Sequence, residues 1–190
     1  MRNVIRVVLA IVAVLVIVIG TRPDHFHVER STTIAAPGAA VFARLDDFHQ
    51  WAEWSPWEKL DLQMKKTYEG ANSGVGAAYH WAGNDKVGEG RMTISQSEPP
   101  TSLVMSAEFL KPFKATNQCT FSLAADGANT RVTWAMDGHE DFMGKAMCLI
   151  MNPDKMIGPD FERGLANLRA LAEREAQQPA DSNAVTAAGH

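Results

Sequence analysis

Between residues 65 and 138 the chain passes through six short segments in which apolar and polar side chains alternate: KKTYEG, GAAYHWAG, GEGRMTISQSE, TSLVMSAEFL, ATNQCTFSLAA and NTRVTWAMDG. Alternation with a period of two marks a strand with one face toward a core. Glycine, Pro99-Pro100, "KPF" and "DGAN" punctuate the segments at hairpin-like spacing, so the six strands form one antiparallel meander. After it, Asn152-Pro153-Asp154 supplies an N-cap followed by proline at the first helical position. Ile157, Phe161, Leu165, Leu168 and Ala172 then recur at i, i+4, i+8, i+11 and i+15, with Glu162, Arg163, Asn167 and Arg169 elsewhere around the helix. That stripe needs an apolar partner. The only large apolar surface available is the concave face of the sheet.

Upstream, HFHVERSTTIAA sets Phe26, Val28 and Arg30 against His27, Glu29 and Ser31, which predicts a strand ending before Pro37. Val41, Phe42, Leu45, Phe48 and Trp51 follow at helical spacing, broken near Asp46-Asp47, which predicts two short helices. The 190 residues, 46% hydrophobic, suit one domain with a real core and extensions at its ends. A net charge of -4 with scattered basic residues excludes a nucleic-acid partner. Cys119 and Cys148 lack metal-ligand spacing and read as small apolar thiols.

Residues 7–20 carry no polar side chain, and Arg2 and Arg6 precede them. Fourteen helical residues rise about 21 Å, short of the roughly 30 Å hydrocarbon core, but Arg6 can snorkel and add Val4 and Ile5 to the span. Ile19-Gly20-Thr21-Arg22-Pro23 does not resemble a small-residue cleavage site. An uncleaved single-pass anchor over residues 1–22 is therefore favoured over a cleaved signal. Positive charge ahead of the span places the N-terminus in the cytoplasm and the domain outside the cell membrane, or in the periplasm of a diderm bacterium. The domain occupies residues 23–174. Residues 175–190, EAQQPADSNAVTAAGH, read as a disordered tail.

The order is strand, two helices, six strands, long helix. With it, FHVERSTTIAAPGAAVFARLDDFHQWAEWSPW, GNDKVGEGRMTI, TRVTW and MIGPDFERGLANLRALAE resemble the polyketide cyclase/dehydrase branch of the START-like (SRPBCC) superfamily over nearly all of residues 26–173. The resemblance implies an α+β helix-grip fold, in which a curved antiparallel sheet grips the C-terminal helix around an apolar cavity. Such cavities often hold a lipid, sterol, polyketide or other hydrophobic small molecule. Members differ widely in activity, so fold does not give function.

Alternation groups Tyr79 with Trp81, Met92 with Ile94, Met105 with Ala107 and Phe109, Cys119 with Phe121, and Trp134 with Met136 as the inner face. WAEWSPWEK places Trp51, Trp54 and Trp57 at i, i+3 and i+6. Pro56 stops a helix there, which leaves Trp51 to helix packing and Trp54 and Trp57 to a loop, as core plugs or as walls for a ligand. Met143, Met147 and Met151 form a stripe suited either to packing or to a lid. The ligand-lining set expected from sequence is Trp54, Trp57, Tyr79, Trp81, Met92, Phe109, Phe121, Trp134 and Met147, with Tyr79 as the polar handle.

Catalytic signals are thin. His139-Glu140-Asp141 lacks a second histidine four residues on, and His25 with His27 lacks an evident third ligand, so no metal site is expected. Neither a nucleophile elbow nor a phosphate loop nor a dinucleotide fingerprint is present, so no cofactor is expected. His80, Glu89, Glu108 and Asp137 are the titratable candidates, but parity turns His80 and Glu108 away from the inner face. The sequence favours a membrane-anchored module binding a hydrophobic small molecule or lipid. A cyclase, dehydratase or hydrolase acting in the same cavity is the alternative, and a partner protein with a filled core is a third reading.

Overall fold

The computed structural model describes residues 1–112, 114–149 and 151–178. Its seven strands are β1 (His25–Ile34), β2 (Lys65–Gly70), β3 (Ala77–Ala82), β4 (Glu89–Glu98), β5 (Ser102–Lys111), β6 (Ala115–Asp126) and β7 (Asn129–His139). They form one antiparallel sheet in the order β1-β7-β6-β5-β4-β3-β2. The six-strand meander is thus as the alternation implied, and β1 closes its far side against β7, with His25 opposite His139 and Ile34 opposite Thr130. Register shifts in β4, at Glu89/Gly90 and Ile94/Gln96, add local twist. The sheet curls around the side chains of its inner face, and the arrangement is the α+β helix-grip fold.

Helix α1 (Arg2–Gly20) precedes β1, α2 (Gly38–Leu45) and a 3-10 helix (Phe48–Glu53) follow it, and α3 (Phe142–Cys148) and α4 (Pro153–Gln177) close the described chain. Asn152 caps α4 by accepting from the backbone N–H groups of Asp154 and Lys155. Phe161, Leu165, Leu168 and Ala172 are buried as their spacing implied, and Ile157 packs against the core. Two glycines bring α4 close to the sheet. A side chain at Gly158 would collide with the Arg30 guanidinium, which reaches from β1 to Asp154 at 2.8 Å and Glu162 at 2.7 Å. One at Gly164 would meet the Trp134 ring at 2.8 Å.

One feature differs from the sequence reading. The helix continues to Gln177 rather than giving way to a tail at Glu175, because Glu175 receives the Arg44 guanidinium of α2 at 2.6 and 3.1 Å. Residues 179–190, the rest of the expected tail, lie outside the described residues. Helix α1 lies within the 1–22 segment expected to form the anchor, and none of its residues is buried; among the described residues it is the one helix long and apolar enough to cross a membrane.

On the outer face His27 stands directly opposite Asp137 and its Nδ1 lies 2.7 Å from the carboxylate. That hydrogen bond, with Glu29 nearby, raises the His27 pKa. A raised folded-state value means the pair stabilises fully below the ordinary histidine value of about 6.5 and that this stabilisation is lost as pH rises through the raised value. The melting-temperature gap between wild type and His27→Gln is expected to be larger at pH 6 than at pH 9. Thermal melts at the two pH values check this, and an equal gap at both would contradict it.

Candidate functional site

After the 3-10 helix, Pro56 ends helical hydrogen bonding and the chain crosses the open side of the sheet. The tryptophan cluster is fixed by where its N–H groups go. Trp51 donates to the Leu45 carbonyl and Trp54 to the Arg44 carbonyl, both at 3.0 Å, so the two indoles satisfy carbonyls left open at the end of α2. Trp57 donates to the Asp160 carboxylate of α4 at 3.2 Å. The loop is thereby stitched to two helices and stands over the sheet as a wall.

Between this wall and the inner face of β3 to β7 lies an apolar cavity of about 240 Å³. Tyr79 and Trp81 stack at 5.9 Å on β3, and Phe109 meets Trp81 edge-on at 5.8 Å. Met92, Ala107, Cys119, Trp134 and Met136 complete the sheet side, and Trp51, Ser55, Trp57, Glu58 and Met64 the loop side. None of the lining residues comes from α4, which instead covers β1 and β7. The Trp81 indole lies over Gly90, its register partner, where any side chain would run into the ring. Its N–H donates to the Val87 carbonyl at 3.0 Å and so ties the wall to the β3–β4 turn. Asp85, Lys86, Gly88, Lys111 and Pro112 line the turn end of the cavity.

Three polar features interrupt this lining. The Tyr79 hydroxyl donates to Glu58 at 3.1 Å, and Lys66 donates to the other Glu58 oxygen at 2.5 Å. Burial, and then the neighbouring Glu58 carboxylate, push the Tyr79 pKa well above its ordinary range, so the phenol stays protonated as a donor. The buried Cys119 thiol is pushed up to about 12 by burial, which leaves it an unreactive wall atom. The Trp134 indole N–H is buried with no hydrogen-bond partner among the described residues.

Of the nine residues expected from sequence, Trp57, Tyr79, Trp81, Met92, Phe109 and Trp134 line this cavity. Trp54 and Phe121 do not reach it. Both are fully buried and pack edge-on to each other at 6.1 Å behind Trp134, as core. Met147 sits on α3, half-exposed and away from the cavity, because α3 packs against α1. Trp51, assigned to helix packing, does line the cavity while also packing.

None of the four titratable candidates lines it. His80 faces Glu69 at 3.3 Å and Asp137 faces His27, both on the outer surface. Glu89 pairs with Lys111 at 2.6 Å, and Glu108 stands opposite Arg91 in the register. Two carboxylates do line the cavity, Asp85 at the turn end and Glu58 beside Tyr79; Glu58 was missed because it lies on a loop, where parity says nothing. Its one sequence signal is its place beside Trp57. His25 and His27 do not converge; instead Asp24, His25 and His139, all exposed, bring ligand atoms within 4.8 Å of one another at the sheet edge.

The family model described as polyketide cyclase/dehydrase and lipid transport matches residues 25–173. The chain belongs to this family. No curated protein matches the sequence significantly. Among solved structures, this polyketide cyclase/dehydrase family chain is similar to protein CV1439 from Chromobacterium violaceum, with 15% identity, a TM-score of 0.57, and coverage of 80% of this chain and 99% of that one. It is likewise similar to protein MLL2253 from Mesorhizobium loti, at 18% identity and TM-score 0.58 over 78% and 98% of the two chains. The Aha1 dimer from Colwellia psychrerythraea gives 14% and 0.52 over 78% and 96%. At such identities these likenesses speak to the fold, which is that of the START-like superfamily.

Proposed function

We propose that this chain is a membrane-anchored, non-catalytic START-like module that holds a hydrophobic small molecule or lipid in the cavity between the sheet and the Trp57 loop. The observation that carries the reading is the cavity itself: about 240 Å³ walled by Trp57, Trp81, Met92 and Phe109, the concave and mostly apolar lining expected of a small-molecule site. The Glu58–Tyr79 pair supplies one polar end, suited to a hydroxyl or amine on an otherwise apolar ligand. Family membership supports the ligand class, the apolar α1 supports tethering beside a lipid reservoir, and Arg2 and Arg6 ahead of the span favour the domain on the extracytoplasmic side. Protease treatment of intact spheroplasts is expected to remove the domain; a domain left untouched would reverse the orientation.

Titration of the full chain in mild detergent with 1-aminoanthracene, read by tryptophan quenching, tests the cavity. Saturable 1:1 uptake is expected. Trp81→Ala is expected to weaken it by roughly tenfold, about 1.4 kcal/mol, through lost apolar contact. Unchanged affinity in a folded Trp81→Ala protein would place the site elsewhere.

The second reading, a cyclase, dehydratase or hydrolase acting in the same cavity, is favoured by one observation, the cavity-facing Glu58 carboxylate held by Tyr79 and Lys66. Under it, Glu58→Gln abolishes turnover of a substrate that still binds. Under the binding reading, the same change alters affinity alone.

A further inference from the structure

The strand register places the α1–β1 junction and the turn end of the cavity at the same edge of the sheet. His25, where β1 begins, pairs with His139, the last residue of β7. Phe109 pairs with Ala115, Glu89 with Lys111, and Ala82 with both Glu89 and Lys65. The cavity-lining turn residues Lys86, Val87, Gly88, Lys111 and Pro112 therefore sit at the edge that α1 enters. Only residues 21–24 separate α1 from β1, and four extended residues reach at most about 14 Å. The Glu140 N–H is bonded to the Asp24 carbonyl at 2.6 Å, and α3 packs against α1.

The exposed apolar side chains gather at this edge too. Outside residues 1–20, Leu62, Leu110, Phe142, Met143, Met147 and Met151 are all exposed there. Met156 lies in the first turn of α4, and Val75 alone lies at the opposite edge, on the β2–β3 loop. Such a patch is abnormal on a surface facing water, whereas a short apolar helix beside an anchor is suited to the headgroup and acyl boundary. Charges of both signs flank it, Arg22, Lys86, Lys111 and Lys145 against Asp24, Asp85, Glu89 and Glu140, so a zwitterionic bilayer suffices.

We propose that this edge is seated in the lipid interface, with α3 and its neighbouring apolar side chains dipping into the bilayer beside α1, so that the cavity opens onto the membrane and takes its ligand from it. The inference rests on the anchored-module reading and adds the orientation.

Spin labels on the full chain in phosphatidylcholine vesicles test it. Met143→Cys, Val75→Cys and Val12→Cys would each be made in a Cys148→Ser background, the buried Cys119 being inert to the label. The ratio of oxygen to nickel-complex accessibility is expected to be at least roughly threefold higher at 143 than at 75, approaching the value at 12, as immersion at the acyl boundary requires. A lipid-like ratio at 12 with a water-like ratio at 143 overturns the seated edge and leaves the anchor standing. A water-like ratio at 12 overturns the anchor and this inference with it. Lipid-like ratios at both 143 and 75 overturn the edge-specific placement.

Discussion

Trp134→Ala is expected to lower the unfolding free energy by about 3–5 kcal/mol, the cost of removing a large ring from a packed core. Trp134 is 1% exposed and is the ring on which the two halves of the domain meet. It stacks on Phe161 of α4 at 4.0 Å with an interplanar angle of 10°, and on Phe121 of β6 at 4.8 Å. Trp54 and Trp57 stand edge-on to it at 5.7 and 5.6 Å. Alanine would leave α4 facing a hole at Gly164, where the helix has no side chain of its own to fill it. Trp134→Phe keeps most of the stack and gives up an N–H that has no partner among the described residues, so its cost is expected to stay under about 1.5 kcal/mol. Urea unfolding of the full chain in detergent checks both variants. A Trp134→Ala protein within about 1 kcal/mol of wild type would mean that α4 is held elsewhere, by Arg30 and Arg44 rather than by this stack.

Ala107→Phe is expected to abolish ligand binding while leaving the fold intact. Ala107 is buried, stands opposite Met92 in the β4–β5 register and lines the cavity. A ring there has about 240 Å³ of space to enter, and it would occupy the volume a ligand needs. The expected loss in the 1-aminoanthracene titration is at least roughly 100-fold, about 2.7 kcal/mol. Unfolding measurements separate this from the filled-core reading. If the core were closed, the added ring would overpack it and cost about 1–3 kcal/mol of stability; if the cavity is open, the cost is expected to stay well below that.

Strands β2 to β7 were legible because a sheet with one buried face writes itself as alternation. Tyr79 and Trp81, Cys119 and Phe121, and Trp134 and Met136 fall on the inner face as parity required. Helix α4 was legible for the same reason at its own period. The partition of that inner face into core and cavity was not legible. Phe121 and Trp134 share a face and stack on each other, yet only Trp134 reaches the cavity, since that depends on how the Trp57 loop crosses the sheet. The tryptophan cluster was ambiguous because the N–H groups of Trp51 and Trp54 find carbonyls at the end of α2, a tertiary contact with no local sequence signal. Glu58 was hidden because its partners, Lys66 and Tyr79, lie on strands 8 and 21 residues further along. The methionine stripe left both packing and a lid open, because a run of Met at helical spacing does not say which surface it meets. Packing of α3 against α1 places Met147 beside that helix and away from the cavity.

Native mass spectrometry with organic extraction of the full chain, purified from its own membranes in mild detergent, tests the ligand cavity most directly. One apolar species in stoichiometric amount is expected on the wild-type protein and none on Ala107→Phe. A wild-type chain that carries nothing, and that takes up nothing when offered a total lipid extract of those membranes, would contradict a ligand-holding cavity.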